Sequence, residues 1–193
     1  MNILETKRLI LRTWEDKDLD AMTAIDQDPK VCQYLPGIGN REETSARIQR
    51  CINHYHEKDY TLYAVELKNT HDMIGFLGLM TPSFEAHFTP AVEIGWRLSS
   101  KQWNQGYATE GAKAVLHDAF TRLNLDEIVS FTVVNNMASR KVMEKIGMHH
   151  DPNDDFDHPK LDKNSPLRRH VLYRLTKADY FKKNPSQMED LTY

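Results

Sequence analysis

Apolar residues recur at helical spacing in several segments of the chain. Ile48, Cys51, Ile52 and Tyr55 fall at i, i+3, i+4 and i+7, which places them on one face of a helix. A later segment carries a broader apolar face, suited to packing on a sheet. Its members are Ala112, Val115, Leu116, Ala119, Phe120 and Leu123. A shorter helix is predicted around Leu19, Met22 and Ile25.

Between these helices lie β-branched and apolar segments that predict strands. The predicted strands are Arg8–Thr13, Tyr60–Leu67, Met73–Met80, Val92–Leu98, Ile128–Val134 and Leu167–Leu175. The second and third are joined by a short polar turn, which is typical of a hairpin. Residues 151–166 are polar and include three prolines, so an extended loop is predicted there. The pattern therefore predicts an α/β protein.

Composition narrows the class of protein. The chain has 193 residues with 40% hydrophobic and 27% charged content, which is ordinary for one globular domain spanning residues 1–193. A net charge of −3 does not favour nucleic-acid binding. No apolar run is long enough for a membrane span or a signal peptide. Cys32 and Cys51 have no metal-ligand spacing, so we predict no metal site and a reducing, cytoplasmic location.

The most informative stretch runs from Trp103 to Glu110 and reads W-N-Q-G-Y-A-T-E. It lies between a predicted strand and a predicted helix, where backbone N–H groups can hold phosphate. Gly106 lets the main chain approach a ligand closely, and Ala108 keeps the first helical turn thin. The alternative is an ordinary turn before a helix. The stretch is neither a Walker loop nor a three-glycine dinucleotide fingerprint.

A second segment, about thirty residues further on, has the same layout. The strand Ile128–Val134 ends at Asn135 and Asn136. A short helix is predicted from Ala138 to Ile146, with Gly147 as its C-cap. Strand, turn and helix therefore occur twice in succession.

This order and these residues resemble the GNAT acetyltransferase superfamily, and within it the ribosomal-protein N-terminal acetyltransferase-like branch. The family's cofactor loop follows Q/R-x-x-G-x-G/A. Gly106 and Ala108 match its fourth and sixth positions, whereas Trp103 stands where Gln or Arg is usual. Asn136 and Ser139 match the Asn-x-x-Ser of the second motif. The resemblance extends over nearly the whole chain, from Glu5–Arg12 to Arg169–Leu175.

The resemblance implies a single-domain GNAT-like α/β fold. Its mixed central sheet would be splayed around the cofactor and flanked by helices. The cofactor would be acetyl-CoA, used as a co-substrate. The residues expected to bind it are Arg97, Leu98, Trp103, Asn104, Gln105, Gly106, Tyr107, Ala108 and Asn136. For Asn136 the alternative is a plain turn residue.

Two residues are candidates for catalysis. Strand alternation places Glu93, Gly95 and Arg97 on one face, and many superfamily members carry their general base on the matching strand. The alternative for Glu93 is an ion pair with Arg97. Ser139 is the candidate donor to the leaving thiolate, with a helix-cap serine as its alternative. Many relatives use a Tyr as the acid, but Met143 stands at that position.

The resemblance implies direct acetyl transfer to a primary amine, with a protein or peptide N-terminus favoured as the acceptor. Two alternatives stay open. One is a small-molecule amine acetyltransferase, and the other is a non-catalytic acyl-CoA-binding module. No nucleic acid or membrane partner is expected, and a homodimer is left open. The sequence does not name the acceptor or the acyl chain length.

Overall fold

The computed structural model describes residues 1–187. Within it the chain divides into two compact units. The first comprises Met1–Met80 and Gly95–Ala114, and the second comprises Thr81–Ile94 and the chain from Val115 onward. The prediction of one domain over 1–193 stays a prediction. No helix in residues 1–187 is long and apolar enough to cross a membrane.

The first unit begins with a meander of antiparallel strands covered by two helices. Its elements are β1 (Asn2–Glu5), β2 (Leu9–Arg12), α1 (Asp18–Asp26), α2 (Arg41–Lys58), β3 (Leu62–Leu67) and β4 (Met73–Met80). β1 pairs with β2, β2 with β3, and β3 with β4, all antiparallel. The helices bury Met22, Ile25 and Cys51 against Ala64 and Phe76 of the sheet.

Two elements contribute residues to both units. They are β5 (Glu93–Leu98) and α3 (Tyr107–Phe120). Short 3-10 turns are found at Val31–Tyr34, Ser100–Gln102 and Pro152–Asp154. The sequence predicted a strand, a turn and a helix in this order. The predicted strand, Val92–Leu98, begins one residue before β5.

The second unit is built around a parallel pair and an antiparallel pair of strands. Its further elements are β6 (Glu127–Val133), α4 (Met137–Lys145), β7 (His149–His150), β8 (Phe156–Asp157), β9 (Arg169–Thr176) and α5 (Lys177–Lys183). β6 runs parallel to β5 and antiparallel to β9, and β7 and β8 both pair with β9. The predicted fold class, α/β with a mixed sheet and flanking helices, is therefore confirmed.

The core of the second unit is aromatic. Phe88 and Phe156 are buried with Val129 and Leu172, and Phe84 and Phe131 pack against them. Phe156 belongs to β8, so the predicted loop 151–166 contributes a 3-10 turn and a two-residue strand to this unit. The segment thus positions an aromatic side chain on β9 and β6.

Candidate active site

Glu93 is the first residue of β5 and lies in register with Val129 of β6. Residues in register on neighbouring strands project to the same face of a sheet. Val129 belongs to the aromatic core of the second unit, so the Glu93 carboxyl projects on the face that this apolar cluster covers. Glu93 is half-buried there, and its removal from water raises its pKa to about 8.

The Glu93 carboxyl has no hydrogen-bonding or ionic partner among residues 1–187, and burial is the cause of its raised pKa. The ion pair with Arg97, which was the alternative role, is not formed. Arg97 Nη1 instead donates to Asp26 Oδ1 at 2.6 Å. A raised pKa suits a general base, and that role of Glu93 stays a prediction.

Two predicted cofactor residues end β5. The Arg97 guanidinium is occupied by Asp26, so a contact with the cofactor would have to use its main chain. Leu98 is buried, and its carbonyl accepts a hydrogen bond from the Trp103 indole N–H at 2.9 Å. That bond fixes the Trp103 indole against the end of the strand, and 42% of the residue is exposed. Their cofactor-binding roles stay predictions.

The turn before α3 has the conformation of an anion-binding loop. Asn104 and Gly106 have φ of 61° and 83°, and residues 103–106 are all exposed. Successive residues with alternating backbone hand turn their N–H groups toward a common side, which is the geometry of a backbone nest. Asn104, Gln105 and Gly106 therefore form one exposed turn ahead of Tyr107 and Ala108, and the cofactor-binding roles of these five residues stay predictions.

The N–H groups of this turn are also unused. The first helical hydrogen bond runs from Glu110 N to Gly106 O at 3.0 Å, so Tyr107, Ala108 and Thr109 are first-turn residues whose N–H groups have no intrahelical acceptor. Within residues 1–187, the N–H groups of Asn104, Gln105 and Gly106 donate to no other residue. These exposed donors at a helix N-terminus fit the pyrophosphate of acetyl-CoA.

Asn136 and Ser139 meet at the start of α4. Asn136 is the N-cap, and its side chain accepts from Ser139 N at 3.3 Å. Its amide also donates to Ser139 Oγ at 3.1 Å and to Thr132 Oγ1 at 2.9 Å. Asn136 therefore caps α4 and holds Ser139 in the same contact, whereas the alternative weighed for Asn136 was a plain turn residue and the cap was the alternative for Ser139. Met143, on the same helix, is buried and has no hydroxyl to donate.

Exposed apolar side chains flank Asn136. Val134 and Met137 are 38% and 50% exposed, on either side of the cap. Large apolar residues exposed beside a polar group are typical of a ligand-binding surface. Their chemistry suits the alkyl segments of a pantetheine arm.

Two residues of the first unit that were not predicted belong to the turn as well. Arg8 donates from Nη1 to Gln105 O at 2.9 Å, and its Nε lies 2.6 Å from Glu110 Oε2. Both residues fall inside sequence stretches that carry the family resemblance. No local pattern links them, because they are 102 residues apart.

Comparisons with known proteins identify the family of the chain. A family model described as an acetyltransferase (GNAT) domain matches residues 8–149. YnaD, an uncharacterized N-acetyltransferase of Bacillus subtilis (strain 168), is 33% identical over 146 residues, covering 75% of this chain and 81% of that protein.

Solved structures share the fold. An acetyltransferase of the GNAT family from Bacillus anthracis is 27% identical with a TM-score of 0.75, over 92% of this chain and 99% of that one. RimL, a ribosomal L7/L12 alpha-N-protein acetyltransferase in complex with coenzyme A, has a TM-score of 0.73 over 91% of this chain and 98% of its own. Its 18% identity shows a common fold only. With the family model matching most of its length, the chain belongs to the GNAT acetyltransferase family, whose co-substrate is acetyl-CoA.

Proposed function

We propose that this acetyltransferase transfers the acetyl group directly to a primary amine, and that the amine is the N-terminal α-amine of a protein or peptide. The observation that carries the proposal is the unpaired Glu93 carboxyl, whose pKa is raised to about 8 by burial. Such a group ionises around pH 8, and its carboxylate can then take a proton from the bound ammonium, so that the neutral amine attacks the thioester carbonyl.

The other residues supply the remaining requirements of acetyl transfer. The backbone N–H groups around Gly106 hold the pyrophosphate, and Asn136 contacts the amides of the pantetheine arm. Ser139, at the N-terminus of α4, donates to the thiolate as it leaves. Holding the amine and the thioester together lowers the barrier by roughly several kcal/mol more.

The choice of an α-amine rests on resemblance to the N-terminal acetyltransferase branch and on acid–base chemistry. An α-amine has a pKa near 7.7–8.0, so roughly a tenth of it is neutral at pH 7. For a lysine side chain the neutral fraction is about one in a few thousand. An α-amine therefore needs less help with deprotonation than a lysine side chain does. This suits a site with one carboxyl base and a methionine at the usual tyrosine position.

Peptide pairs test this choice. One peptide has a free N-terminus and no lysine, and its partner has a blocked N-terminus and one lysine. We expect thiol release from acetyl-CoA, and a mass increase of one acetyl group, with the first peptide only. Polyamines and aminoglycosides form the second arm. Turnover with those alone would establish a small-molecule acetyltransferase, and CoA binding without any thiol release would establish a binding module.

We also propose a cytoplasmic location. Cys32 and Cys51 are both free and buried in the first unit. Buried thiols without a disulfide suit a reducing compartment. Fractionation of the native host with an antibody against the protein tests it.

A further inference from the structure

Arg8, the residue before β2, is bonded to both the phosphate-type turn and the first turn of α3. Its Nη1 donates to the Gln105 carbonyl at 2.9 Å. Its Nε and its backbone N–H donate to the two carboxylate oxygens of Glu110, at 2.6 and 2.9 Å. The guanidinium carbon also lies 4.4 Å from the centre of the Tyr107 ring. One side chain thereby joins three successive parts of the turn and helix.

The bond to Gln105 determines where the Gly106 N–H points. A trans peptide is planar, with its C=O and the following N–H on opposite sides. The carbonyl of Gln105 is directed at Arg8, so the N–H of Gly106 is directed away from Arg8. It is the last N–H of the exposed turn before α3 begins.

This peptide plane needs an external restraint. Its second residue, Gly106, has a φ of 83°, a conformation that glycine adopts without steric cost. Rotation of the 105–106 peptide changes ψ of Gln105 and φ of Gly106, and without a restraint it would turn the Gly106 donor away. Glycine at 106 makes such a rotation easy, since it accepts either sign of φ.

Glu110 holds Arg8 in place. Its carboxylate accepts from Thr6 Oγ1 at 2.6 Å as well as from Arg8. Burial opposes ionisation of Glu110, but the hydrogen bonds from Thr6 and Arg8 outweigh it and lower the pKa of this carboxyl. The ion pair is therefore present throughout the physiological pH range.

We propose that Arg8 is a positioning residue of the cofactor site, which orients the Gly106 N–H toward the pyrophosphate of acetyl-CoA. The planar fork is essential, because one guanidinium must reach Gln105 and Glu110 in fixed directions. Lysine carries the same charge but has a single rotatable ammonium. The inference rests on acetyl-CoA as the co-substrate and is independent of which amine accepts the acetyl group.

The test compares Arg8→Ala and Arg8→Lys with Lys7→Ala, a control that removes a positive charge from the neighbouring exposed residue. Dissociation constants are measured for CoA by calorimetry and for phosphate-free pantetheine by NMR titration. We expect both Arg8 variants to lose CoA affinity by about tenfold or more. The pantetheine affinity of each variant should stay within twofold of the parent's, and its melting temperature within a few degrees. Lys7→Ala should also keep the parent's CoA affinity within twofold.

Three results overturn the proposal. They are unchanged CoA affinity in folded Arg8→Ala, an equal loss of affinity for CoA and pantetheine, and full affinity in Arg8→Lys, which would assign the effect to charge alone. If Arg8→Ala does not fold, Glu110→Gln tests the same contact and is expected to show the same split between CoA and pantetheine. A parent that binds CoA but acetylates no amine contradicts the proposed function and leaves this inference standing.

Discussion

Asn136 and Ser139 are joined by two hydrogen bonds at the start of α4. The Asn136 amide donates to Ser139 Oγ at 3.1 Å, and its carbonyl accepts from Ser139 N at 3.3 Å. Because the amide nitrogen occupies an acceptor position of the hydroxyl, the hydroxyl hydrogen of Ser139 is left to point elsewhere. It is thereby available to the thiolate that forms as the thioester breaks.

Ser139→Ala should lower kcat while acetyl-CoA affinity stays within about threefold of the parent. The negative sulfur exists only as the carbon–sulfur bond breaks, so loss of the donor affects the transition state more than the bound ground state. Ser139→Thr, which keeps the hydroxyl, is the matched control. Kinetics and calorimetry on the same preparations give both quantities.

The outcome separates Ser139 from a simple helix cap. If the serine serves only the helix, Ser139→Ala should cost about 1 kcal/mol of stability and leave turnover per folded molecule unchanged. Because Asn136 is the N-cap, we expect the loss of stability to be smaller than that.

Gly106→Val should reduce CoA affinity by tenfold or more, which is about 1.4 kcal/mol. Gly106 has a φ of 83°, a region that a β-branched residue rarely adopts, and a Cβ placed there would lie 3.5 Å from Arg8 Nη2, so the substitution should distort the backbone that presents the N–H groups. Gly37→Val is a suitable control, since no atom lies within 4 Å of a Cβ placed there. A folded Gly106→Val protein with parental affinity would remove the phosphate-turn assignment.

Asp18→Asn should destabilise the protein by about 2 kcal/mol, because it removes one of the two buried carboxylates that pair with Arg12 and leaves Glu66 as the other. Arg12 is 3% exposed and donates two bonds to Asp18, at 2.7 and 2.8 Å. Asp20→Asn, on the same helix, removes the exposed ion pair with Arg41 and should cost less than about 1 kcal/mol. Urea unfolding of the three proteins measures the difference, and equal midpoints for both variants would contradict it.

The larger elements were predictable because their signals are local. Met73–Met80 was predicted with the bounds that the structure has, since its apolar run is long and begins after a polar turn. α5 was missed because it follows β9 without a loop. Thr176 is the last residue of the strand and also caps the helix, accepting from Asp179 N at 3.1 Å. β1 was missed because four half-exposed residues have no strong alternation.

The candidate site was predictable to a lesser degree. Gly106 and Asn136 were named because their local turns demand those residue types. The contact between Arg8 and Glu110 depends on how distant segments pack, and no spacing along the chain predicts it. The pKa of Glu93 likewise follows from burial beside residues of other elements, so the sequence could identify the carboxyl but left its ion-pair alternative open.

Glu93→Gln should lower turnover by roughly 10²-fold or more at neutral pH. If Glu93 is the base, the parent's rate rises with pH as this carboxyl ionises around pH 8. The rate of the variant should lack this increase. High pH should partly restore the variant, because the acceptor amine then arrives neutral. Parental activity of the variant at pH 7 would show that Glu93 takes no proton.

Glu93→Gln should also change how the stability of the fold depends on pH. The loss of a catalytic group alone would not have this effect. The folded pKa of about 8 lies above the ordinary value near 4.3, so ionised Glu93 disfavours the folded state. The parent has its full stability below about pH 4.3 and loses part of it as pH rises toward 8. Glutamine cannot ionise, so the variant is spared that loss, and its advantage in melting temperature should grow between pH 4.5 and pH 8.5. Glu57→Gln, at an exposed position of α2, is the matched control for the loss of one carboxyl. A constant difference between Glu93→Gln and the parent across this range would mean that Glu93 titrates like a solvated carboxyl, and the general-base assignment would then lose its main support.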